Sequence, residues 1–177
     1  SEDKVIVVYQ GCNSIFQKKI NINEKEDINN KYNLPENYLL YVGTIEERKN
    51  LITLLTALTK LPKKKLVVIG NGKSYKIKCL KYINQNNLSE RVIFLNNISI
   101  KEMAAIYQSA EIMIYPSIFE GFGIPILESL FCKTPVITSK GGCFNEAGGK
   151  YSKYIDPMSA EEIKNAIVEI TKSDSLK

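Results

Sequence analysis

Two glutamates, Glu120 and Glu128, stand eight positions apart in SIFEGFGIPILES, with Gly121, Phe122 and Gly123 following the first. Carboxylates accept hydrogen bonds, so such a pair can hold the vicinal hydroxyls of a ribose or a hexose. A hydrolytic acid/base pair would reach its bond from opposite sides, whereas these two share one loop–helix unit. The chain has no histidine, so it cannot assemble a Ser-His-Asp or Cys-His nucleophile system within itself. Gly121 and Gly123 let main-chain N–H groups face a ligand that side chains would block. Taken singly, Glu120 also reads as a loop surface residue and Glu128 as a first-turn glutamate favouring the helix dipole.

A second constellation lies in YVGTIEERKNL. Gly43 permits a close turn, Arg48 and Lys49 add two positive charges, and Asn50 stands where it can cap the next helix. Cations at a helix N-terminus oppose the macrodipole unless an external anion sits there. The pair therefore reads either as an anion site or as exposed loop residues. A third stretch, VIGNGKS, carries Gly70-x-Gly72, but Tyr75 holds the place of the third glycine of a dinucleotide fingerprint. A tight turn is the expectation there.

The elements that must position these residues alternate. Apolar, β-branched runs occur at VIVVY, YLLYVG, KLVVIG, RVIFL, EIMIYP and PVIT, with helical patterns between them. Leu51, Leu54, Leu55, Leu58 and Leu61 fall on one helical face, and Ile77, Leu80 and Ile83 are expected to do the same in the next helix. Ser99 with Glu102, and Ser159 with Glu162, have capping-box spacing. Pro125 suits the start of a helix. Strands apolar on both faces, joined by helices, predict a doubly wound parallel α/β sheet of Rossmann type. In such a sheet the loops after Val42, Ile69, Leu95, Tyr115 and Ile137 share the carboxyl edge, where ligands bind. The polar stretch from Asn21 to Tyr38 reads as a connection. The organisation expected is a connecting strand and linker over residues 1–37 and the doubly wound, Rossmann-like domain over 38–177.

At 177 residues, 44% apolar and 24% charged, the chain suits one soluble globular domain. The formal charge of +5 resides in lysine runs without interleaved aromatics, which reads as solvated surface and argues against nucleic acid as a partner. Cys12, Cys79, Cys132 and Cys143 are irregularly spaced, which argues against structural zinc and suits reduced thiols in a cytosolic protein. The chain opens on Ser1 and meets a strand-like run almost at once, so it reads as a piece of a larger protein.

Taken in order, YVGTIEERKNL, LVVIGNG, VIFLNNISIKEMAAIYQSAEIMIYPSIFEGFGIPILESLFCKTPVITS and NEAGGKYSKYIDP resemble successive blocks of the donor-binding C-terminal half of retaining GT-B glycosyltransferases, group 1 (family 4) type. The resemblance implies that Arg48 and Lys49 neutralise a donor diphosphate, that Glu128 binds ribose hydroxyls, and that the catalytic Glu120 faces the transferred sugar. It further implies that Gly43 and Thr44 border the diphosphate, that amides around Gly121, Phe122, Gly123 and Ile124 line sugar and phosphate, and that the base packs on Asn97 and Ile98. Thr44 stands where some members carry a third basic residue. No cofactor or metal is implied. The implied reaction moves a hexose from a nucleoside-diphosphate sugar to a glycan or lipid-linked acceptor, as in bacterial polysaccharide biosynthesis. It needs the missing N-terminal acceptor half, so this piece alone should be inactive. A cytoplasmic location, with peripheral association at the inner face of a membrane, is the matching expectation. Two alternatives stay open: half of a GT-B sugar-nucleotide epimerase, and a nucleotide-binding module without catalysis.

Overall fold

The computed structural model describes residues 11–174. The run VIVVY lies outside the described residues. Six parallel strands form one sheet in the described residues: β1 (Leu39–Val42), β2 (Leu66–Ile69), β3 (Val92–Leu95), β4 (Ile112–Tyr115), β5 (Val136–Ser139) and β6 (Ser152–Ile155), in the order β3-β2-β1-β4-β5-β6. The helices are α1 (Ile22–Lys31), α2 (Leu51–Thr59), α3 (Ser74–Gln85), α4 (Ile100–Ser109), α5 (Ile124–Phe131), α6 (Cys143–Gly148) and α7 (Ala160–Asp174). This is the doubly wound, Rossmann-like arrangement that the alternating runs predict.

Because successive strand residues point to opposite faces, β1 feeds two cores. Leu39 and Tyr41 join Val68 and Ile114 under α2, α3 and α7. Tyr38, Leu40 and Val42 join Val67, Met113 and Tyr115 under α4, α5 and α6. The leucine face of α2 is buried as its periodicity predicts, each of Leu51, Leu54, Leu55 and Leu58 being fully covered. Such burial contributes about 1.5–3 kcal/mol per side chain.

Four local expectations need correction or refinement. Asn21 to Tyr38 is not simply a connection: it contains α1, whose N-cap Asn21 accepts a bond from Glu24 N. No α1 side chain is fully buried, so the stretch lacks an apolar stripe; Lys31 and Tyr32 instead hold Glu102 at 2.6 and 2.9 Å. Just before it, Phe16 and Ile20 are buried in the second core. In α3, Ile77 and Leu80 are exposed, and Tyr75, Cys79 and Ile83 form the buried face. The strand β6 went unread because SKYI is an edge strand with a polar first half. The Ser99–Glu102 capping box is complete, and Ser159 accepts from Glu162 N, but Glu162 turns its carboxylate to Asp156 N. Among the described residues, no helix is long and apolar enough to cross a membrane.

Candidate functional site

Winding proceeds outward from β1 through β2 to β3, and in the other direction from β4 through β5 to β6. The loops leaving β1 and β4 therefore diverge at the carboxyl edge and leave a crevice between them. The first loop closes with a 3-10 turn, Glu47–Lys49, and enters α2 through Asn50 in the left-handed region (φ 56°). Asn50 does not cap the helix backbone as expected. Its carbonyl oxygen accepts from the Thr53 hydroxyl and its amide donates to Pro157 O, so it anchors the turn sideways. The second loop is tied to the first by Ile118 N donating to Arg48 O at 2.7 Å.

Across this crevice the structure brings together three of the predicted residues. Lys49 Nζ lies 2.6 Å from Glu120 Oε1, and Arg48 Nη1 lies 3.0 Å from Glu120 Oε2. Lys49 also donates to the Tyr115 hydroxyl at 2.6 Å and stands over its ring. Arg48 reaches Glu46 through Nε and Phe119 O through Nη1. Lys49 and Glu120 have side chains only 8% and 10% exposed, while Arg48 at 45% reaches into solvent. Burial acts to raise the Glu120 carboxyl pKa, but the Lys49 contact and the charges of Lys49 and Arg48 outweigh it and hold it below the ordinary value. Desolvation drives the Tyr115 hydroxyl well above its usual range, with the nearby Glu120 charge adding to it. Tyr115 therefore remains a neutral partner of Lys49.

Glu128 sits one turn inside α5, where Tyr107 donates to its Oε2 at 2.9 Å. Burial raises its pKa, and the tyrosine bond opposes this. Gly123 is the N-cap of α5 with φ 101°, and Pro125 is the second helical residue. A Cβ on Gly123 would meet Ile126 Cδ1 at 3.0 Å, whereas one on Gly121 would meet nothing. Gly121 thus faces open space beside Glu120. The first turn of α5, beginning at Ile124, presents its positive dipole end to the crevice. Phe122 is half-buried between the two glycines.

Asn97 and Ile98 follow β3, two strands from the switch point, on the same sheet edge. Asn97 is exposed in a left-handed conformation (φ 54°), and Ile98 packs against the second core. The Gly-x-Gly of the β2 loop proves to be a support for the β1 loop. A Cβ on Gly70 would stand 1.9 Å from Gly43 O, and one on Gly72 would stand 2.4 Å from Ile45 O. Gly43 itself has φ 147° and lies over the Lys49 side chain, and Thr44 is exposed beside it, its carbonyl accepting from Tyr41.

Sequence reasoning missed Tyr115, Tyr107 and Cys143 as members of the site. Tyr115 ends an apolar strand run and was absorbed into it. Cys143 is the first residue of α6, the helix that follows β5, and donates to Glu120 O at 3.3 Å. In none of these did a local pattern mark the residue.

Residues 22–177 match the family model described as Glycosyl transferases group 1. The O-antigen chain mannosyltransferase B of Escherichia coli is 28% identical over 179 residues, an alignment covering 98% of this chain and 47% of that relative. The chain thus spans about half the length of the curated relatives it matches. Among solved structures, sucrose-phosphate synthase from Thermosynechococcus elongatus superposes with a TM-score of 0.77 at 28% identity, covering 85% of this chain and 40% of that one. HepE of Anabaena, solved with UDP and glucose, superposes with a TM-score of 0.82 at 19% identity, covering 93% and 46%. The resemblance to the C-terminal half of GT-B glycosyltransferases holds at the level of family and fold.

Proposed function

The chain belongs to the group 1 glycosyl transferases, and we propose that it is the donor-binding half of an enzyme that transfers a hexose from a nucleoside-diphosphate sugar to a glycan or lipid-linked acceptor with retention of configuration. The observation that carries this reading is the placement of Arg48, Lys49 and Glu120 on two loops at the topological switch point. Two cations converging beside the N-terminus of α5 form a receptacle for a diphosphate. In this reading the diphosphate takes up the two cations, and the Glu120 carboxylate turns to the hydroxyls of the transferred sugar. Glu128, held by Tyr107, accepts from the ribose hydroxyls. Gly121 and the amides from Phe122 to Ile124 face the sugar and phosphate, and Asn97 and Ile98 flank the base. The relative from Escherichia coli is a mannosyltransferase and HepE was solved with UDP and glucose, which supports a hexose donor.

As the sugar–phosphate bond breaks, charge accumulates on the departing diphosphate, and Arg48 and Lys49 stabilise it from fixed positions. The acceptor is bound by the other half of the enzyme, so the chain alone binds donor without transferring it. Calorimetric titration with uridine and guanosine diphosphates and their hexose conjugates tests the reading. Saturable binding that disappears in Arg48→Ala/Glu128→Ala is expected; binding undiminished in that variant overturns the residue assignment.

A further inference from the structure

Over much of the described surface lysines face carboxylates, as Lys60 does Glu161, Lys101 does Glu24 and Lys153 does Glu169. One concave region departs from this pattern. A cleft of about 360 Å³ is lined by Lys18, Lys19, Lys25 and Lys133, together with Gln108 and Phe131, and no acidic side chain lines it. Among the described residues, none of these four lysines forms an ion pair. Gln108 lies at the end of α4, just ahead of β4, and Lys133 lies between α5 and β5. The cleft therefore opens at the amino edge of the sheet, opposite the Arg48–Glu120 loops.

Its walls are held in place. Gln108 accepts from Ile20 N at 3.1 Å, donates to Lys18 O at 2.8 Å, and takes a bond from Lys25 Nζ on its backbone carbonyl at 3.4 Å. One glutamine thus fixes the Lys18–Ile20 segment and Lys25 against α4. Lys133 forms the facing wall from the left-handed region (φ 62°), where a lysine is rare. Cations do gather at helix C-termini, and Lys25 on Gln108 O is such a contact. The last carbonyls of α5, however, already accept from Cys132 N, Lys133 N and Thr134 N. Capping thus leaves Lys18, Lys19 and Lys133 unexplained. Like charges in a concavity reinforce one another's potential and draw a multivalent anion into it.

We propose that this cleft is a binding site for a phosphate-bearing anion, separate from the donor loops. Ammonium groups are compact charges with three donors each, matching the several oxygens of a phosphoryl group. Phe131, 42% exposed at the rim, offers apolar contact to whatever carries the phosphate. That chemistry occurs in soluble phosphoesters and in anionic lipid headgroups.

The test uses the full chain and two probes. Tripolyphosphate is titrated against the amide NMR spectrum, and vesicles of phosphatidylglycerol in phosphatidylcholine are used in co-sedimentation. Saturable shifts at Lys18, Lys19, Gln108 and Lys133 are expected, weakened at least ~10-fold in Lys19→Glu/Lys133→Glu. Shifts at Arg48 and Lys49 report the donor loops independently. Vesicle binding lost in the same variant identifies a headgroup as the ligand, and a response to tripolyphosphate alone identifies a soluble phosphoester. The proposal is overturned if neither probe saturates at these residues, or if the variant, with an otherwise unchanged spectrum, binds as the unaltered chain does.

Discussion

Lys49 Nζ lies 2.6 Å from Glu120 Oε1, and both side chains are almost wholly buried. The carboxylate thereby occupies the position beside Lys49 and Arg48 that the proposed reading assigns to a diphosphate. Glu120→Gln removes the counter-charge that Lys49 and Arg48 share, leaving Arg48 only the half-exposed Glu46. Titration calorimetry should show bare nucleoside diphosphate binding roughly 5- to 10-fold tighter, about 1–1.4 kcal/mol. Transfer by the full-length enzyme should fall by about two orders of magnitude or more. Unchanged diphosphate affinity would mean that Glu120 does not compete for the cations.

The two cations should behave differently on removal. Lys49→Ala leaves the buried Glu120 carboxylate with Arg48 alone and should cost about 3 kcal/mol, the low end for breaking a buried ion pair. Lys49→Met combined with Glu120→Gln should recover most of that stability and none of the donor binding. Arg48 is 45% exposed, so Arg48→Ala should cost no more than ~1 kcal/mol of stability while weakening diphosphate binding about 10-fold. Denaturant melts read alongside titrations separate the two effects.

Two glycines give opposite outcomes. Gly70→Ala places a methyl 1.9 Å from Gly43 O, so the β1 loop must move. A loss of about 2–4 kcal/mol with loss of donor binding is expected. Gly121→Ala meets no protein atom and should leave the melting temperature unchanged, while donor affinity falls because the methyl enters ligand space. A Gly121→Ala chain that binds donor normally would remove Gly121 from the site.

Acid sensitivity has a marked contributor outside the site. Bonds from Lys31 and Ser99 hold the Glu102 carboxyl down at about 2, from an ordinary 4.5. A depressed folded-state pKa stabilises fully above the unfolded value, and that contribution fades as pH falls through the folded one. The stability gap between the unaltered chain and Glu102→Gln should be constant above pH ~5 and shrink toward pH ~2. A gap independent of pH would contradict this.

In the proposed reading, Arg48 and Lys49 supply at the leaving group the positive charge that a divalent ion provides elsewhere. Transfer by the full-length enzyme should therefore persist in excess EDTA. Abolition by EDTA with recovery on adding a divalent ion would refute that account.

Much of this was legible along the chain. The cations and Glu120 lie in short segments after apolar runs, with Glu128 one turn into the helix that follows, so strand order alone sends them to one sheet edge. The Ser99–Glu102 box and the α2 leucine face are local patterns that burial did not override. In α3 two helical spacings competed: Ile77, Leu80, Ile83 and Tyr75, Cys79, Ile83. Tertiary partners chose the second, because the Tyr75 hydroxyl accepts from Ile52 N and the Tyr82 hydroxyl bonds Thr56, which lets tyrosines lie inward.

The sequence by itself determined the alternation of elements, and with it the sheet edge at which the charged groups gather. Periodicity and capping act over a few residues, and chain connectivity does the rest. Only the tertiary structure decided that Glu120 spans both cations, that Tyr115, distant in sequence by 66 positions, steadies Lys49, and that Gly70 exists to admit Gly43 O. Those relations join separate loops across the switch point, where distance in space owes nothing to spacing along the chain.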